Sequence, residues 1–111
     1  MANVKNAPAG RYFREIGYSQ CYPWVVIRIS ESGKTLTLQS VATKSDPEWK
    51  PHIIPGGFCG HCDNQNDQTW LYDGLEQKTT TIRLNKKGQW MHKGVRFVES
   101  DGPDYFYDYN F

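Results

Sequence analysis

The alternation of apolar and polar positions is clearest between Thr79 and Val98. Thr80, Ile82 and Leu84 alternate with Thr79, Thr81 and Arg83, the period of two that marks a strand with one buried face. Asn85-Lys86-Lys87-Gly88 follows as a short hairpin loop, because Asn tolerates unusual backbone angles and Gly88 can take a left-handed position. Gln89-Trp90-Met91 returns, His92-Lys93-Gly94 turns again, and Val95 and Phe97 alternate with Arg96. Earlier in the chain, Arg11 to Ile16 reads as a first strand ended by Gly17. Trp24 to Ile29 is β-branched and apolar, a second strand, with Pro23 suited to its start because it has no N–H to give a ladder. Glu31 to Lys34 is a turn, and Thr35 to Val41 alternates with Leu36 and Leu38 inward, so these two strands form a hairpin.

Residues 1–9 read as a loose lead-in, and residues 44–68 as one long loop holding Pro47, Pro51, Pro55, Gly56-Gly57 and the polar run Asp63 to Asp67. A loop of that length in a small domain is functional or disordered, or else pinned by a metal. Thr69 to Asp73 is a strand, and Gly74 to Gln77 a turn before the central stretch. No window carries helical apolar spacing over three turns. The pattern predicts an all-β single domain over residues 1–111: a small antiparallel barrel or strongly curved sheet of five to six strands, SH3-like, with one long loop. Its expected core is Val25, Ile27, Ile29, Leu36, Leu38, Ile82, Leu84 and Phe97. The aromatic tail, 101–111, carries five rings from Tyr105 onward, too apolar for a solvated terminus. It is expected to dock back on the sheet, with Asp104 or Asp108 pairing with Lys93 or Arg96.

Charge refines this picture locally rather than globally. The net charge is +1, which exerts no overall pull on nucleic acid or membrane. Yet six Lys or Arg and no acid lie between Lys78 and Arg96, and four acids with no base lie between Glu99 and Phe111, so the two segments attract each other or divide the surface. The first ten residues hold no apolar run of signal-peptide length, and no stretch approaches a membrane span. A cytoplasmic protein is expected, in which three cysteines serve as thiols or metal ligands rather than as a disulfide framework.

Cys59-Gly60-His61-Cys62 is the sharpest short motif. A redox role needs the first thiol at a helix N-terminus, and the polar run after Cys62 is a poor helix start with no βαβ pattern around it. As a metal site, Cys59 and Cys62 with His61 supply the beginnings of a tetrahedral zinc set, to be completed from Cys21, His52 or His92. The plainer reading is reduced thiols in a loop, so no cofactor is expected and a structural zinc is left open. No G-x-S-x-G, Walker loop or H-E-x-x-H is present, and the expectation is that the protein is not an enzyme.

The basic hairpin invites an anionic partner. Arg83, Lys86, Lys87, Lys93 and Arg96 flank Trp90, while Trp24, Trp49 and Trp70 offer further ring faces and Tyr107 joins the expected ligand set; aromatic planes beside Lys and Arg are how small β-folds hold bases and phosphates. The competing reading is that the lysines keep the surface soluble and Trp90 caps the core.

Several of these pieces, in the same order, resemble a family of small phage-encoded β-rich proteins. Tyr18-Ser19-Gln20 with Pro23 and Val25-Val26-Ile27, then Lys34 to Gln39, Lys87-Gly88-Gln89-Trp90 with Lys93-Gly94, and Phe106 to Phe111 are similar to that family's pattern. Where the family has SDR this chain has Ser19-Gln20-Cys21, and the segment from Phe58 to Cys62 is no part of the pattern. The resemblance implies a viral setting, in the cytoplasm of an infected host cell, and supplies no catalytic residue. Two functions are then expected. One is a counter-defence protein that sequesters a small anionic, nucleotide-type immune signal through Trp24, Arg83, Trp90, Lys93, Arg96 and Tyr107. The other is an inhibitor or adaptor that blocks a host defence protein without a small ligand. A membrane or nucleic-acid partner is not expected, and a homo-oligomer is left open.

Overall fold

Alternating β-branched and apolar residues give eight strands in the computed structural model, which describes residues 10–54 and 61–108. They are β1 (Tyr12–Ile16), β2 (Cys21–Ile29), β3 (Thr35–Ser45), β4 (Ile53–Ile54), β5 (His61–Cys62), β6 (Trp70–Leu84), β7 (Trp90–His92) and β8 (Val95–Ser100), with one 3₁₀ turn at Gln65–Asp67. Six of them form one antiparallel sheet in the order β1-β2-β3-β6-β7-β8, which closes on itself through the β1–β8 pair. Closure is confined to one part of β6: it pairs with β7 only through Arg83 and Leu84, so its stretch from Trp70 to Ile82 is laddered with β3 alone. β4 and β5 make a separate two-stranded piece inside the long connection.

The interior of the ring holds Phe13, Trp24, Leu36, Leu38, Ile82 and Phe97, with Val26, Trp90 and Val95 packed against them. A second cluster lies on the outer face, made by Tyr12, Val25, Val41 and Tyr72 with Trp70 and Tyr105. Tyr12 pairs with Val25 and Phe13 with Trp24, so the β1–β2 ladder is buried on both faces at this point. The expected single core is therefore two cores, and Val25 belongs to the outer one.

Ile27 and Ile29 depart from the expected core, being 49% and 55% exposed, while Leu84 is half-buried. The reason is a bulge. The β2–β3 register shifts between Val26 and Arg28, leaving Ile27 as the extra residue. Val26 opposite Leu38 faces inward, Arg28 opposite Thr37 faces outward, and Ile29 returns to the inner side only at the open end of the ring.

The turn expected at Gly74 to Gln77 is absent; β6 runs unbroken through it. Gln39 opposes Thr79 and Val41 opposes Leu75, so the surplus residues of β6 are taken up as bulges. Gly74 sits there at φ +81, a left-handed angle that glycine adopts without Cβ strain. The Gln39 side chain donates to the Glu76 carbonyl at 2.7 Å and ties the bulge to β3.

The connection between β3 and β6 is held by side chains in its described part. Buried Asp46 accepts from the Glu48 N–H at 3.0 Å and from the Thr69 hydroxyl at 2.8 Å, joining the two ends of the connection. Asn64 accepts from the His52 N–H at 2.7 Å and donates to the Lys50 carbonyl at 2.9 Å. The tail docks, as its ring content demands, with an isolated β-bridge between Cys21 and Phe106. Asp104 pairs with Arg14 (Arg14 Nη1 to Asp104 Oδ2, 3.1 Å), not with Lys93 or Arg96, because the segment crosses the outer face of β1 and β2.

Candidate functional site: the cationic outer face

Register decides which of the expected binding residues share a surface. Leu84, Trp90 and Phe97 are directly opposed across β6, β7 and β8, and so are Arg83, Met91 and Arg96. Directly opposed side chains point to the same face of a sheet. The first row faces the interior, where Trp90 meets Phe13 edge-on at 5.8 Å between centroids. The second row faces out, and both of its arginines are exposed. Trp90 and the arginines thus lie on opposite faces of one wall.

Trp24 is also interior, 3% exposed, with its indole N–H donating to Glu15 Oε1 at 3.0 Å and its ring edge-on to Phe97 at 6.3 Å. Trp24 is buried and Trp90 is half-buried against the core cluster, so both have a core role in place of the expected stacking role. Lys93 is exposed in the β7–β8 turn, at φ 48 beside Gly94 at φ +81. Tyr107 is 39% exposed but belongs to the tail, where its backbone N–H and carbonyl are both held by Gln68.

The outer face has a second row that the sequence reading missed. Arg28 opposes Thr37, and Thr37 opposes Thr81; one step along, Thr35 opposes Arg83. A shallow cavity of about 380 Å³ is lined by Arg28, Ser30, Glu31, Thr35 and Thr37. The signal was present: Arg28 is the one charge in the apolar run from Trp24 to Ile29, and a charge inside such a strand marks its wet face.

Among the described residues, the cations divide into two groups. Arg11 is bound to Glu99 through two hydrogen bonds of 2.8 and 3.1 Å, which raises its pKa further, Arg14 holds Asp104, and Lys44 holds Asp73 at 3.1 Å. Arg28, Arg83 and Arg96 have no carboxylate partner among the described residues, and no carboxylate occupies either of their rows. Neighbouring strands lie about 4.8 Å apart, so Arg83 and Arg96, two strands apart, are separated by roughly 10 Å at Cα. Two planar guanidinium groups at that separation, with the half-buried Met91 between them and threonine hydroxyls alongside, suit an anion that also has an apolar part.

At the expected metal positions, Cys62 is buried and its thiol points to Asn64 Oδ1 at 3.3 Å. His61 is placed in β5, and Cys59 lies outside the described residues. His52 pairs with Asp63 at 2.8 Å, and no three His, Cys, Asp or Glu side chains come together as a metal set among the described residues. Cys21 lies under the tail, where burial, with Asp104 beside it, pushes its thiol up to about 11. Burial likewise pushes Tyr72 up to about 12. Compared with protein-family models, with curated proteins and with solved structures, the chain finds no match.

Proposed function

We propose that this chain is a binding protein for a small phosphate-bearing ligand of the nucleotide type, held on the outer face by Arg83 and Arg96 with Arg28 beside them. Sequestration of such a signal, in the viral setting that the sequence resemblance implies, is the role that follows. The observation that carries the reading is the Arg83–Met91–Arg96 row: two exposed guanidinium groups on one face with no opposing acid. Arginine binds phosphate bidentately and stays charged at any working pH. Met91 gives the non-phosphate part of the ligand an adaptable apolar seat. The threonines of β3 and β6 add neutral donors without adding charge.

Titration calorimetry against a panel of nucleotides and cyclic nucleotides tests this. A ligand that binds the intact chain should lose about tenfold or more in affinity to Arg83→Ala or Arg96→Ala, because a hydrogen bond to a charged group contributes about 1.5–3 kcal/mol. Arg83→Lys should also weaken it, and rising salt should weaken it further. Full affinity in folded Arg83→Ala and Arg96→Ala variants would remove the arginine row from the site.

A second reading, an inhibitor or adaptor that blocks a host protein, draws support from Ile27 and Ile29. These exposed apolar side chains flank Arg28 on β2 beyond the last residue that β1 pairs. A host protein that co-purifies with the chain and is released by Ile29→Asp, with no nucleotide effect, would select this reading over the first.

A further inference from the structure

The segment after Pro103 is held like a peptide in a receptor groove. The Phe106 N–H donates to the Cys21 carbonyl at 3.1 Å, and the Cys21 N–H donates back to the Phe106 carbonyl at 3.3 Å. The Tyr105 N–H donates to the Tyr72 hydroxyl at 3.0 Å. Gln68 grips the next residue at both backbone groups: its Oε1 accepts from the Tyr107 N–H at 2.9 Å, and its Nε2 donates to the Tyr107 carbonyl at 2.8 Å. Three side-chain preferences accompany these backbone contacts. Arg14 takes the carboxylate of Asp104, Trp70 takes the Tyr105 ring edge-on at 4.5 Å, and Tyr22 lies against the same ring at 5.9 Å. Main-chain hydrogen bonds that give the hold, with side-chain pockets that give the choice, are how a sheet recognises an added extended segment.

Every group that makes this groove (Arg14, Cys21, Tyr22, Gln68, Trp70 and Tyr72) stands before the tail in the chain, and none of the contacts depends on the tail being attached to the same molecule. We propose that the groove is an extended-peptide site whose occupant can be the tail of a second copy, so that two chains exchange these segments reciprocally. The second copy is the occupant to which the groove's chemistry is matched: an acid followed by aromatics, on an extended backbone. The connection to be reopened is short, a bend at Asp101-Gly102 in which the Gly102 carbonyl accepts from the Ser100 hydroxyl at 2.7 Å. Exchange of an identical element conserves every contact and forms a closed two-fold pair. The attached tail competes at an effective concentration in the millimolar range, which sets the protein concentration at which exchange appears.

The test places a thiol opposite Cys21 across the β-bridge. Phe106→Cys is made with Cys59→Ser and Cys62→Ser, and equal amounts of light and heavy-nitrogen chains are mixed, incubated and oxidised. Mass spectrometry then counts links between position 21 and position 106 that join one light and one heavy chain. Half of the links that join two chains should be mixed, so about a quarter of all links after incubation near 1 mM, where closed and exchanged forms are comparable, and almost none near 1 μM. Links confined to single chains at both concentrations overturn the proposal. If this variant does not fold, the unaltered chain near 1 mM is followed by light scattering with and without a synthetic peptide of residues 101–111. A dimer that the peptide dissolves supports exchange; a monomer throughout, or a dimer indifferent to the peptide, overturns it.

Discussion

Leu38 and Ile27 are both large aliphatic residues in adjoining strands of one hairpin, and truncating each to alanine should have sharply different costs. Leu38 is fully buried among Phe13, Trp24, Leu36, Ile82 and Phe97. Leu38→Ala removes its transfer free energy and leaves a hole that these rings, fixed by the closed sheet, fill only in part; the expected loss is about 3–4 kcal/mol, within the 2–5 range for such sites. Ile27 is 49% exposed at the β2 bulge. About half of the roughly 2–3 kcal/mol of a fully buried isoleucine is at stake there, and water fills the space, so Ile27→Ala should cost about 1 kcal/mol. Urea unfolding followed by tryptophan fluorescence reads the difference, since Trp24 and Trp90 both report on the interior. For a domain with a total stability of about 5–15 kcal/mol, the Leu38 variant should unfold at a much lower urea concentration with an unchanged slope. Equal losses for the two variants, or a greater loss for Ile27, would mean that the bulge is not where the register places it.

Gln68→Ala removes both backbone contacts to Tyr107 and the acceptor for the Trp70 indole N–H at 2.7 Å; about 1–3 kcal/mol of stability should go, with faster amide exchange at Tyr105 to Tyr107. Unchanged exchange there would show that the rings alone hold the tail. Lys93→Asn should raise stability by roughly 1 kcal/mol, because Asn tolerates the left-handed φ of 48 ahead of Gly94 better than Lys does; a lower melting temperature would contradict this. Cys21 and Tyr72 are held neutral at about 11 and about 12, against ordinary values of 9.0 and 10.0. Their contribution should be whole below about pH 8, where both stay protonated in the unfolded chain, and should be lost as pH rises towards 12. Urea midpoints that fall from about pH 8 to about pH 10.5 in the intact chain, and fall less in Cys21→Ser, would confirm it.

The strands were legible because Leu36, Leu38 and Ile82 obey period two and the turns carry glycine where positive φ occurs, at Gly33, Gly88 and Gly94. The errors within β2 and β6 trace to bulges. Ile27 and Ile29 continue the alternation of Val25 in the sequence, but Val25 belongs to the outer cluster, Ile27 is the extra residue of the bulge, and Ile29 reaches the inner side only at the open end of the ring. Gly74 read as a turn because a left-handed glycine serves turns and bulges alike. The arginines of the outer face were visible as charges, but their separation from Trp90 depends on strand register, which a hairpin's sequence leaves open until both loops are fixed. Arg28 went unremarked because a local reading does not show that β2 and β6 flank the same strand, β3. The partner of Asp104 was missed for the same reason: Arg14 is distant in sequence and adjacent only once the ring closes.

Burial on both faces at Tyr12-Phe13 and Trp24-Val25 constrains how this chain can drift. A strand with one wet face tolerates change at every second position, so half of its sequence is free to vary. At these four positions neither side chain parity is wet, and each residue fits one of two cores that share a backbone. A change in volume on one side shifts that backbone against the other, so tolerated changes there should arrive as coupled pairs drawn from both clusters. Val41 of β3 and Tyr72 of β6 share the restriction through the outer cluster, whereas the outward positions nearer the β2–β3 turn, such as Thr35 and Thr37, lack it. Substitution should therefore accumulate on the exposed positions of the far wall outside the arginine row and spare the wall it shares with the tail.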